Sequence, residues 1–126
     1  RLTQMPKWQE KRNEIAAIYT KELKYDVICQ NVPEELSHNF HKFVIRFEDK
    51  DQRKRVKDGL KAIGLNASVH YEKPLSQNSL YIKEHHRKDQ CTNSQIASDT
   101  VMSLPIHAWL TDEEIDKICN TILMMT

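Results

Sequence analysis

The chain has only 2 glycines among its 126 residues, Gly59 and Gly64, and both fall within or at the end of one expected helix. A P-loop or a Rossmann fingerprint needs several closely spaced glycines whose backbone approaches phosphate, so nucleotide binding by either motif is excluded. GxSxG, HExxH and CxxC are absent too, which leaves no self-contained catalytic signature. No apolar run approaches the roughly 20 residues that a membrane helix needs. The opening RLTQMPKWQE has no hydrophobic centre of a secretory signal. The expectation is a cytoplasmic protein without a membrane partner.

Cysteine is scarce and unpaired. Cys29, Cys91 and Cys119 are odd in number and widely spaced, as reduced thiols are, and form no disulfide framework. Cys119 lies on the apolar stripe of the last expected helix and reads as a small buried hydrophobe. Neither sign of charge is in excess. With 19 Lys plus Arg against 18 Asp plus Glu, net charge gives no reason to expect nucleic acid as a partner. What is present is ordinary for a soluble domain: 39% hydrophobic and 29% charged residues. This length buries a core without disulfide or metal, so residues 1–126 are expected to form a single domain. The first residue is Arg1 rather than methionine, which suggests a piece cut from something longer.

From Thr3 to about Tyr25, Met5, Trp8, Ile15, Ile18, Tyr19 and Leu23 recur mostly at three- and four-residue steps, the pattern of a long amphipathic helix. Pro6 fits only in its first turn. CQNVPEELSHN reads as a loop. FHKFVIRFE alternates Phe43, Ile45 and Phe47 with Lys42, Val44 and Arg46, a strand. DKDQRKRVKDGLKAIG predicts a second helix, with Val56, Leu60 and Ile63 at i, i+4 and i+7 and Gly64 closing it. LNASVHYE is expected to be a short strand that sends His70 and Tyr71 to opposite faces, His70 with polar Ser68 and Glu72, Tyr71 with Ala67 and Val69. PLSQNSLYIKEHHRKDQCTN reads as loop, SQIASDT as one or two helical turns, and VMSLP as a brief strand stopped by Pro105. Thr111 and Glu114 form a capping box before a last helix with Ile115, Ile118, Cys119, Ile122 and Leu123 inward. The sum is an α+β fold, a small, mainly antiparallel sheet of about three strands covered by helices.

The basic run RKRVK, residues 53–57, reads as the solvated face of the second helix. Six histidines invite a metal reading, but His38 and His41 at a strand start face opposite sides, and adjacent His85 and His86 are poorly placed to chelate one ion. No metal site is expected. A histidine and a tyrosine followed by a proline loop could instead place a ring nitrogen and a phenol beside a cleft, with a partly buried, hydrogen-bonded histidine as the plainer alternative.

Four segments in order resemble one family, the pyridoxal-phosphate-dependent nucleotide-sugar aminotransferases of the DegT/DnrJ type: RNEIAAIYTKEL from Arg12, HKFVIRF from His41, GLNASVHYEKPL from Gly64, and VMSLPIHAWLTDEEIDKI from Val101. The match is to that family's carboxy-terminal small domain, as in fold-type I aminotransferases. The resemblance implies an enzyme that moves an amino group, usually from glutamate, to a keto sugar carried on a nucleoside diphosphate, for polysaccharide or amino-sugar biosynthesis. It implies a parent homodimer whose large domain holds pyridoxal phosphate on a lysine. No catalytic, cofactor-binding or metal residue is expected in this chain, and the fragment alone is expected to be inactive. His70 and Tyr71 match the family's His-Tyr pair beside the sugar-nucleotide cleft, so both are candidate substrate-binding residues. Ser76 stands where many members have a further histidine. Leu104, Pro105 and Thr111 match structural positions, and an apolar face near Met5 and Trp8 is expected to meet the large domain. The competing reading is an independent, non-enzymatic α+β binding or interaction module.

Overall fold

The computed structural model describes residues 2–85 and 90–126. After a 3-10 turn over Leu2–Gln4, helix α1 spans Met5–Leu23, with Pro6 in its first turn where no backbone N–H is needed. Ile15, Ala16, Tyr19 and Leu23 form its buried stripe. A two-residue strand β1, Ile28–Cys29, follows within what the sequence reads as helix end and loop. It is too short for any periodicity to announce it.

Strand β2, Phe43–Arg46, lies at the centre of a three-stranded antiparallel sheet, between β1 and β3, Val101–Leu104. Its register pairs Phe43 with Leu104 and Ile45 with Met102, all four buried, so one sheet face enters the core. Val44 and Ser103, also paired, point to the other face. Helix α2, Lys50–Ala62, begins on Asp49, whose carboxylate accepts from the Gln52 N–H at 2.7 Å. It ends before Gly64, whose φ of +79° is the left-handed value that favours glycine.

Residues 65–72 depart from the expected strand. Ser68 exchanges both backbone hydrogen bonds with Ser103 across a single bridge, at 3.1 and 2.8 Å, and the pairing then stops. The expected loop after Pro74 is also more ordered than its polarity suggests. It contains a 3-10 turn at Leu75–Gln77 and helix α3, Ser79–His85, where the Asn78 side chain accepts from the Leu80 N–H at 2.9 Å. Helix α4 covers Thr92–Thr100 and runs straight into β3.

Helix α5, Asp112–Met125, carries the expected capping box: the Glu114 N–H donates to Thr111 Oγ1 at 3.2 Å, and the Thr111 N–H donates to Glu114 Oε2 at 2.9 Å. Ile115, Ile118, Cys119 and Ile122 are buried, whereas Leu123 lies at the margin and is partly exposed. Burial pushes the Cys119 thiol up to about 11 and so keeps it protonated at neutral pH. Helix α5 packs against both α1 and α2, and α4 packs against α2. Arg12 ties the long loop to α1 by donating to the carbonyls of Phe40 and His41, at 3.1 and 3.3 Å.

Candidate functional site

Three elements converge on the His70–Tyr71 step. From β3, the buried Ser103 lies 3.1 Å by its Oγ from His70 Nδ1, while its backbone holds Ser68. That contact occupies one imidazole nitrogen and leaves Nε2 for another partner. From α2, Arg53 Nη2 and Lys57 Nζ each donate to the Glu72 carboxylate at 3.0 Å. The Lys57 hydrogen bond, with the Arg53 charge behind it, holds the Glu72 carboxyl below the usual glutamate range. On the far side, Pro74 is buried and starts the turn at Leu75.

Held at both ends, the step presents its two rings together. The Tyr71 ring meets the His70 ring edge-on, with centroids 5.7 Å apart. Tyr71 is 72% exposed, so it does not pack inward with Ala67 and Val69 as strand alternation predicts. The reason is the early end of the strand at Ser68: without a continuing ladder, nothing enforces opposite faces. The outcome is a phenol and an imidazole side by side at the surface.

The solvated basic run also needs correction. Lys54 pairs along its helix with Asp58 at 2.6 Å and is exposed, as expected. Arg53, however, is only 5% exposed, and its Nη1 donates to the Ser98 carbonyl near the end of α4, at 2.5 Å. Its spacing carries the signal: Arg53, Val56 and Leu60 recur at i, i+3 and i+7 on the inward stripe.

Elsewhere, the His38 Nδ1 accepts from the Phe40 N–H at 3.0 Å, inside its own loop. His86 of the expected His85–His86 pair lies outside the residues described. Among the described residues, no three His, Cys, Asp or Glu side chains gather as metal ligands. No helix there is long and apolar enough to cross a membrane. Trp8 and the 70% exposed Trp109 meet with ring centroids 5.5 Å apart, and Met5, on the same helix as Trp8, is exposed.

Known proteins share this layout. The chain is 27% identical over 116 residues to a UDP-N-acetyl-3-dehydro-α-D-glucosamine 3-aminotransferase of Acidithiobacillus ferrooxidans, covering 91% of this chain and 30% of that protein. A DegT/DnrJ/EryC1/StrS aminotransferase from Brucella abortus superposes with a TM-score of 0.82 at 26% identity, over 98% of this chain and 32% of its own. Helicobacter pylori PseC, an aminotransferase of pseudoaminic acid biosynthesis, gives 0.86 at 25% identity, over 99% and 34%. The chain thus spans about a third of the length of these relatives. The model of the DegT/DnrJ/EryC1/StrS aminotransferase family matches residues 1–123, and the chain belongs to that family.

Proposed function

We propose that this chain is the carboxy-terminal small domain, residues 1–126, of a pyridoxal-phosphate-dependent aminotransferase acting on a nucleotide-linked keto sugar. Glutamate supplies the amino group, and the product serves polysaccharide or amino-sugar biosynthesis in the cytoplasm. The complete enzyme is a homodimer whose large domain carries the cofactor. The observation that carries this reading is the family match across residues 1–123 in a chain about a third as long as its relatives. An independent interaction module would share the layout without reason to match so nearly end to end.

The described residues do not fit the cofactor. Pyridoxal phosphate supplies an aldehyde for a lysine amine and a ring that accepts electrons. No lysine among the described residues is buried, and Lys11, Lys21, Lys50, Lys54, Lys57 and Lys117 all stand in ion pairs at the surface. The chain's own contribution is to close one side of the cleft. There His70 Nε2 and Tyr71 Oη, adjacent and exposed, offer hydrogen bonds to a hydroxylated, anionic ligand. They bind and orient; no proton transfer is assigned to them.

The test uses the complete enzyme, supplied with glutamate and a panel of nucleotide-linked keto sugars that includes the UDP-linked 3-dehydro sugar. Amination of one of them is expected, and His70→Ala should raise its KM several-fold with cofactor absorbance unchanged. Failure to aminate any of the panel would overturn the reading of the enzyme; a silent His70→Ala would overturn that of the site. The fragment alone should show no cofactor band that borohydride traps on a lysine.

A further inference from the structure

The buried guanidinium of Arg53 is not explained by the fold alone. Taking such a charge out of water is costly unless its hydrogen bonds are met, and a residue packed beside Val56 and Leu60 needs no charge to fill space. Its two polar contacts differ in kind. One, to the Ser98 carbonyl, fixes the guanidinium to the end of α4. The other reaches across to Glu72, whose side chain is half exposed and which directly follows Tyr71. Lys57, one turn further along α2, takes the second carboxylate oxygen.

We infer that Arg53 is a positioning residue: anchored on Ser98, it holds Glu72 and thereby sets the place of the His70–Tyr71 step. Only one backbone bridge, at Ser68, ties this segment to the sheet, so the segment lacks the ladder that would otherwise order it. The Glu72 clamp and the Ser103 Oγ contact replace that ladder on either side of Tyr71. A bidentate carboxylate shared by a guanidinium and an ammonium is a stiff restraint, stronger than neutral hydrogen bonds. The functional meaning of this hold rests on the reading of His70 and Tyr71 as ligand-facing, but the hold itself is measurable without ligand.

Backbone 15N relaxation and the His70 ring 15N shifts, recorded on this chain, test it. In Glu72→Gln the heteronuclear NOE of residues 70–73 should fall to the level of the chain ends. The His70 Nδ1 signal should move toward that of a free imidazole, while amide exchange in β2 and α5 stays unchanged. Arg53→Lys, which keeps the charge but loses the fork, should give the same loosening. A loop as rigid as the parent's in Glu72→Gln overturns the inference, and so does equal loosening of β2 and α5, which would mark a purely structural role. If Arg53→Lys loses its dispersed spectrum, Glu72→Gln decides alone. Since neither readout contains substrate, failure here leaves the aminotransferase reading intact, and failure of that reading leaves this hold intact.

Discussion

The Tyr19 hydroxyl donates to the Pro105 carbonyl at 2.8 Å, joining the C-terminal part of α1 to the residue just after β3. Tyr19 is fully buried and its ring meets Phe43 at 5.3 Å between centroids. Burial drives its phenol far above its ordinary pKa, so it stays a donor at any working pH. Tyr19→Phe keeps the ring and strands the carbonyl, and should cost about 1 kcal/mol in urea unfolding. An unchanged midpoint would show that the bond contributes nothing.

At Gly64 a side chain is resisted by conformation rather than by crowding. An added Cβ would meet nothing within 4 Å, yet φ is +79°. Gly64→Ala is expected to destabilise by about 1 kcal/mol, and Gly64→Asn by less, since Asn tolerates this region better. Equal stability of all three would remove the conformational argument.

Ile118→Ala should be far more damaging. The residue is fully buried on the α5 stripe, where large-to-small changes cost about 2–5 kcal/mol. Thermal melting would separate this from Leu123→Ala, expected to shift the midpoint little because Leu123 lies at the margin.

Acid should weaken the fold before it titrates ordinary carboxylates fully. Lys57 leads the lowering at Glu72, Gln95 that at Asp99, and Thr111 that at Glu114. A carboxylate whose folded pKa is depressed contributes stability above its unfolded pKa, and that contribution is lost as pH falls through the folded value. Stability should therefore decline below about pH 4.5, on the unfolded side of the shift. Around Glu72 the groups that matter are Arg53 and Lys57 on α2, with Asp99 on α4 competing for Arg53 and bound by Lys50 at 3.4 Å. Glu72→Gln should flatten the decline; a curve parallel to the parent's would deny the clamp any part in it.

Trp109 is exposed and Trp8 half-buried beneath it, so the chain alone should emit like a largely hydrated indole. Trp109→Phe should shift the remaining emission to shorter wavelength. A parent spectrum already that of a buried indole would show this face covered, by a second copy or otherwise.

Much of the architecture could be read from residues because the signals were local. Asp49 before α2, Gly64 after it, the Thr111–Glu114 box and the alternation of Phe43, Ile45 and Phe47 each act within a few positions. What escaped was either too short or too distant. β1 has two residues, and α3 was hidden by polar neighbours although Asn78 before Leu80, Tyr81 and Ile82 is a start signal. The alternation over 67–71 was genuine, but β3 offers its edge to Ser68 alone. At the candidate site, His70 and Tyr71 emerged from motif resemblance, whereas Ser103 reaches His70 across 33 positions and Arg53 reaches Glu72 across 19, spans that no local pattern covers. Arg53 was also masked by its company: a run of charges invites a single reading, and one member faces inward.

The packing of α1 against α5 sets a timetable for synthesis. Helix α1 carries Ile15, Tyr19 and Leu23 and is made well before its partner stripe of Ile115, Ile118 and Ile122 on α5. Until residues 112–125 have cleared the ribosome, α1 has no lid, and its apolar stripe is open to chaperones or to neighbouring nascent chains. Pauses between α1 and α5 would prolong that exposure, and pauses before α1 would not.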